Sequence, residues 1–310
     1  MRKEQKRKYL IVGILCLVIF MTVSHRNTSK NEPVLGISSI HQLQEKQMLS
    51  GKGISIAILD SGVNLNNHAL NIKGGVNFTK ETKDYQDLNG HGTYLAGIIA
   101  SKKYGIAPKA DVYAVKVLDS KKKGSYDTII KGIQWAINQD VDIILMSLGG
   151  QKFSKSMDEY IKKAHQKGIT IISAVGNNGL SKLDTVIYPA KFNEVIAVGA
   201  VGEDNKRWFK SSRGQGIDIM APGVNLPSFN LKNEIVIENG TSVAAAYVAG
   251  VVCLLIQKEN MTNIEIENTL KKTAISTGSE FEYGNGVINV REIIRKDESM
   301  IQKIIGLFNF

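Results

Sequence analysis

Asp60, His91 and Ser242 stand in the short segments LDSG, NGHGTYLAG and NGTSVAAAYVAG, each with glycine close by. Brought together by a fold, they would offer nucleophilic chemistry. A neutral hydroxyl is a poor nucleophile near neutral pH and needs an adjacent base, itself oriented by a third group. Asn177, in AVGNNG, adds a side-chain amide that can donate to a developing oxyanion. Each residue also has an ordinary reading. An Asp after an apolar run is commonly a turn residue, and a Ser opening an alanine-rich helix is commonly its N-cap. His91 differs from His25, His41, His68 and His165, because it lies between two glycines where an apolar helix begins. Ser242, at the start of a second such helix, would also feel the positive end of its dipole.

The elements that must position these groups are legible as runs. ISIAIL, DVYAVKV, DIILMS, TIISAV and VIAVGAV are β-branched and apolar on both faces, which predicts buried strands. DTIIKGIQWAINQ and SMDEYIKKAHQK carry helical periodicity, with Gly168 as a stop after the second. A late helix is predicted over TNIEIENTLKKTA, ahead of YGNGVINV. Strands alternating with helices imply an α/β fold with a mainly parallel sheet covered on both faces. In such sheets functional groups collect at the carboxyl ends of strands. Asp60, Ser147 and Asn177 all fall at or just past such ends.

The 310 residues suffice for one large domain with a short extension, and 43% hydrophobic content supports a sizeable core. The net charge of +10 sits largely in MRKEQKRK at the start and in Lys121 to Lys123. No basic face with interleaved aromatics appears, so nucleic acid is not an expected partner. Two cysteines, Cys16 and Cys253, both within apolar runs, make no disulfide framework. YLIVGILCLVIFMTV at 9–23 follows a basic start, so residues 1–24 are expected to be a signal peptide or N-terminal membrane anchor. The remainder would then be extracytoplasmic, secreted or tethered to the outer face of the cell membrane. Residues 25–50 form a polar connector, and 291–310 an amphipathic extension.

The order Asp, His, Ser in DSG, HGT and GTS resembles the subtilisin-like serine proteases, or subtilases. The likeness runs from Pro33 to Val290 through YAVKVLDS, GIQWAINQDVDIILMSLGG, AVGNNG, YPA, VIAVGAV, DIMAPG, NGTS and YGNGVINV, in that order. It implies the family's three-layer fold, with a catalytic domain over 51–290. It also implies roles: Ser242 as nucleophile, His91 as base and then acid, Asp60 as orienting carboxylate, and Asn177 with the Ser242 backbone N–H as oxyanion donors. Ser147, Leu148 and Gly149 would line the pocket for the residue before the cut. Lys122, Lys123 and Gly124 would pair with an extended substrate, and Tyr126 would line a farther subsite.

Several positions depart from the family pattern. Ala246 and Tyr247 replace the usual proline and histidine after the serine motif, and Tyr94 replaces a second histidine after HGT. Ala69 stands where relatives carry an acidic calcium ligand, and the loop that would add carbonyls is shortened to SKKY. A hard cation needs oxygen ligands and negative charge. The tight calcium site is therefore expected to be absent, with a weaker one elsewhere left open, and no cofactor is required. Ile187 stands where relatives carry glycine, predicting a shallow primary pocket, and the lysines predict attraction for acidic peptides. No prodomain is expected, since PVLGISSI already matches the start of the mature domain. With the export signal and modest size, this resembles subtilases that remove leader peptides from lantibiotic precursors. The expected function is thus an exported serine endopeptidase, monomeric, maturing a secreted precursor peptide. A general degradative protease and a non-catalytic peptide-binding pseudoprotease are the alternatives.

Overall fold

The five apolar runs form strands of one sheet. The computed structural model describes Ile40 and residues 48–294. The expected leader or anchor, nearly all of the connector and the extension beyond Ile294 lie outside the described residues. The strands are β1 (Ser55–Asp60), β2 (Ile72–Asn77), β3 (Asp111–Lys116), β4 (Ile143–Met146), β5 (Thr170–Ala174), β6 (Ile196–Val201) and β7 (Ile219–Pro222). They pair in the order β2-β3-β1-β4-β5-β6-β7, all parallel. A hairpin of β8 (Leu226–Phe229) and β9 (Ile235–Glu238) stands apart from this sheet.

Helices cover both faces. On one side α1 (His91–Ala100) packs on α4 (Thr241–Glu259); on the other α2 (Tyr126–Asn138) packs on α3 (Lys155–Gln166). α5 (Asn263–Thr273), the short α6 (Glu280–Tyr283) and α7 (Val290–Ile294) complete the described chain. Alternation along the strands divides the core accordingly. Ile56, Ile58, Ile143 and Leu145 face α1 and α4, while Ala57, Leu59, Ile144 and Met146 face α2 and α3. Each such fully buried Ile, Leu or Met side chain contributes roughly 1.5–3 kcal/mol of transfer free energy. This is the three-layer α/β arrangement that the resemblance implied.

Two neighbours flank β1: β3 on one side and β4 on the other. The strand order therefore reverses at β1, and a crevice opens at its carboxyl end. Asp60 is the last residue of β1, in register with Lys116 at the end of β3. Helix α4 is buried on every side from Val243 to Ile256, with Cys253 and Tyr247 fully enclosed. Burial pushes the Cys253 thiol and the Tyr247 phenol far up.

The structure differs from expectation in three places. β2, β7 and the β8–β9 hairpin were not legible as strands; β2 carries two glycines, β7 is four residues ending in proline, and β9 is largely exposed. α7 runs across the expected boundary at 290, with Ile293 and Ile294 in the core beside α4. Ser242 is not the cap of α4: Gly240 is, and it makes no side-chain cap bond.

Candidate active site

Two helix starts and two strand ends meet at the crevice. Asp60 is fully buried. His91 opens α1 behind Gly90, whose φ of 105° is a backbone conformation that side chains other than glycine rarely adopt. His91 Nδ1 lies 2.8 and 2.9 Å from the two Asp60 carboxylate oxygens. A carboxylate only accepts, so Nδ1 carries a proton, and in the neutral imidazole Nε2 is left as an acceptor. The Ser61 N–H donates to Asp60 Oδ1 at 2.7 Å, and the Gly92 N–H donates to Ser61 Oγ at 3.0 Å. That approach requires glycine at 92, because a Cβ there would sit 2.1 Å from the Gly62 carbonyl oxygen.

Ser242 is the second residue of α4, so its N–H lies in the first turn, where helices leave donors without internal partners. Its hydroxyl donates to the Ser147 carbonyl at 3.4 Å, and Ser147 Oγ returns a bond to the Ser242 carbonyl at 3.3 Å. Asn177 follows β5, and its side-chain oxygen accepts from Thr241 N at 3.1 Å and Thr241 Oγ1 at 2.9 Å. With the oxygen so engaged, Nδ2 is the end available to an outside acceptor. Thr241 is itself buried and accepts from the Gly176 N–H at 3.2 Å.

His91, Asn177 and Ser242 line one cleft of about 820 Å³. Lys122, Lys123, Gly124, Tyr126, Ser147, Leu148 and Gly149 line it as well. The Tyr126 hydroxyl donates to the Lys152 carbonyl at 2.5 Å. Ile187 is half-buried and is not among the residues that line this cleft. Its Cδ1 would lie 3.0 Å from a Cβ on Gly149 and 3.3 Å from one on Gly176, so it fills the space between those two backbone walls. The sequence reading missed Leu118, Ile129, Met157 and Tyr188, which form an apolar hollow in the same cleft. Ile129 and Met157 are early apolar positions of α2 and α3, and helical periodicity marks them as inward-facing without saying onto what. Nor did it identify Thr241 as the anchor of the Asn177 amide.

Tyr94 lies one turn into α1, fully buried. Its hydroxyl donates to the Leu226 carbonyl and accepts from the Glu238 N–H at 2.9 Å, tying α1 to the β8–β9 hairpin. Burial pushes this phenol up to about 12.

Where the resemblance implies calcium, the residues present do not fit a hard cation. Lys102 Nζ donates to the His68 carbonyl at 2.8 Å, and the Lys102 N–H donates to the Ala69 carbonyl at 2.8 Å. A positive ammonium group thus sits beside position 69, where a hard cation would need negative charge. Among the described residues no cluster of three or more His, Cys, Asp or Glu could hold a metal ion.

The profile of the subtilase family matches residues 51–286. Subtilisin E of Bacillus subtilis (strain 168) is 42% identical over 265 residues, which is 83% of this chain and 70% of that protein. Subtilisin of Bacillus pumilus is also 42% identical over 265 residues, covering 83% of this chain and 96% of its own. Among solved structures, a cold adapted subtilisin-like serine proteinase superposes with a TM-score of 0.70 at 29% identity, covering 78% of this chain and 88% of that one. Fold, sequence and the ordered motifs agree: the chain belongs to the subtilase family and is a serine endopeptidase.

Proposed function

We propose that Asp60, His91 and Ser242 form the catalytic triad and that Asn177 and the Ser242 N–H form the oxyanion hole. The observation that carries this is the His91 Nδ1 contact with both oxygens of the buried Asp60, in the same cleft as Ser242 and Asn177. His91 Nε2, held as an acceptor, takes the Ser242 proton as Oγ attacks the peptide carbonyl. Asp60 then stabilises the imidazolium, and Asn177 Nδ2 and the Ser242 N–H donate to the tetrahedral oxyanion. His91 delivers the proton to the leaving amine. Water, activated by the same imidazole, releases the acyl group from Ser242.

The substrate is a peptide held extended along Lys122–Gly124. Ile187, filling the space between Gly149 and Gly176, favours a small residue before the cut. The exposed lysines 121 to 123 favour acidic segments at low salt. These preferences suit an exported maturation protease acting on a secreted precursor peptide, as subtilases that trim lantibiotic leaders do. Lys102 makes the calcium place of the family self-sufficient here. A chelator should leave the melting temperature unchanged, and a marked drop would overturn that part of the reading.

The central test is labelling by a fluorophosphonate probe, expected for the wild type and lost in Ser242→Ala. Folded wild-type protein that fails to label would overturn the triad assignment. Product profiling on a peptide library addresses specificity: a restricted motif with small residues before the cut supports maturation, whereas broad cleavage overturns it.

A further inference from the structure

Beside the exposed lysines a polar brace runs from the surface at Glu81 inward, and the triad does not use it. Every polar group of Ser120 is engaged: its N–H and Oγ donate to the Glu81 carboxylate, each at 2.7 Å, and its carbonyl accepts from Asn89 Nδ2 at 2.8 Å. From Asn89 the chain of bonds continues to the His91 N–H, which donates to Asn89 Oδ1 at 3.2 Å. From Glu81 it continues inward, where the fully buried Lys116 places Nζ 3.8 Å from Glu81 Oε2 and donates to the Ser61 carbonyl at 2.8 Å. Ser61 is the residue whose N–H and Oγ meet Asp60 and Gly92. The segment carried by Ser120 is a turn closed on Asp119, whose Oδ1 accepts from the N–H groups of Lys121 at 2.9 Å and Lys123 at 2.8 Å. Those backbone bonds hold the Asp119 carboxyl below its usual range. The turn is therefore stiff within itself, and Ser120 is where the brace grips it.

We propose that Glu81 is a positioning residue that fixes the substrate-pairing edge relative to His91, so that binding of an extended peptide is coupled to the catalytic pair. This rests on the reading of Lys122–Gly124 as the edge that pairs with substrate. The carboxylate suits the task because it accepts from both donors of one serine while remaining near the buried ammonium of Lys116. Hydrogen bonds to a charged acceptor are the strong ones, and each holds the loop with little freedom.

The brace predicts a dependence on substrate length. A long peptide that lies along the edge needs it; a small ester of a single acylated residue does not reach it. Glu81→Gln should raise KM for the long peptide by about tenfold, with kcat/KM for the ester within about twofold of wild type. Because that change removes the charge opposite the buried Lys116, Ser120→Ala provides a variant that leaves the Lys116–Glu81 pair intact. It should show the same length-selective rise in KM, by about threefold. A fluorophosphonate titration of each protein gives its active-site concentration first. Wild type that does not label would overturn the protease reading at Ser242. Labelled variants that treat both substrates alike, whether equally impaired or unimpaired, would overturn the coupling alone.

Discussion

The helices that open onto the cleft's chemistry begin differently from those on the opposite face of the sheet. α2 starts behind Ser125, whose side chain accepts from Thr128 N, and α3 behind Ser154, which accepts from Met157 N. α1 and α4 start behind Gly90 and Gly240, with no side-chain cap bond at either. A cap occupies first-turn donors and stabilises the helix by about 1 kcal/mol. At these two helices other side chains take the first-turn donors: Asn89, Ser61 and Asp87 accept from the N–H groups of His91, Gly92 and Thr93, and Asn177 from that of Thr241. Their stability comes from burial: α1 is enclosed from Gly92 to Ala100, and α4 from Val243 to Ile256. First-turn donors are thus satisfied by the preceding serine on one face and by side chains other than the cap residue at the cleft.

Changes to the uncapped starts should dominate. Ser242→Ala or His91→Ala should lower kcat by about a million-fold, a magnitude measured on family relatives rather than obtained from this geometry. Asn177→Ala should lower kcat by about a hundred- to a thousand-fold, again the family's measured range, while circular dichroism and melting stay close to wild type. Gly90→Ser tests the comparison directly by placing a cap-forming side chain on a reactive helix. The φ of 105° makes that residue strained by about 1–3 kcal/mol, and kcat should fall with the melting temperature. A Gly90→Ser protein with unchanged kcat would break the comparison.

Stability effects come next. The Tyr94 hydroxyl has its pKa raised from 10.0 to about 12, so the fold favours its neutral form. That contribution is fully present below pH 10.0 and is lost as pH rises through about 12. Alkaline melting curves should therefore flatten in Tyr94→Phe relative to wild type. At a capped helix remote from the cleft, Thr262→Ala removes the capping box of α5 and should cost about 1 kcal/mol with kcat unchanged.

The same contrast explains what sequence could tell. α2, α3 and α5 were legible because periodicity and capping residues mark them locally. The strands β1 and β3 to β6 were legible because burial on both faces leaves only apolar side chains. β2 escaped because Gly74 and Gly75 break its apolar run, the latter leaving room for the Tyr85 ring and the Ala114 carbonyl. At Ser242 the local rule misled: serine before alanines reads as a cap, yet the helix begins one residue earlier, at Thr241. The Asp, His and Ser were found through their glycine-bearing motifs and the family's order. The Asp60–His91 geometry, the Thr241 anchor and the Glu81 brace join residues distant in sequence, and no local pattern encodes them.

The deep burial of α4 has a consequence for a protein whose solvent contains other copies of itself. A peptide bond is cut only when its chain can lie extended in a cleft, so an embedded helix is shielded from autolysis until the whole core opens. Exposed stretches have no such shelter. Leu180 and Leu183, on the loop after Asn177, are 74% and 75% exposed. Self-digestion should therefore begin beside Asn177, leaving a nicked enzyme whose Ser242 is still mounted in an intact core.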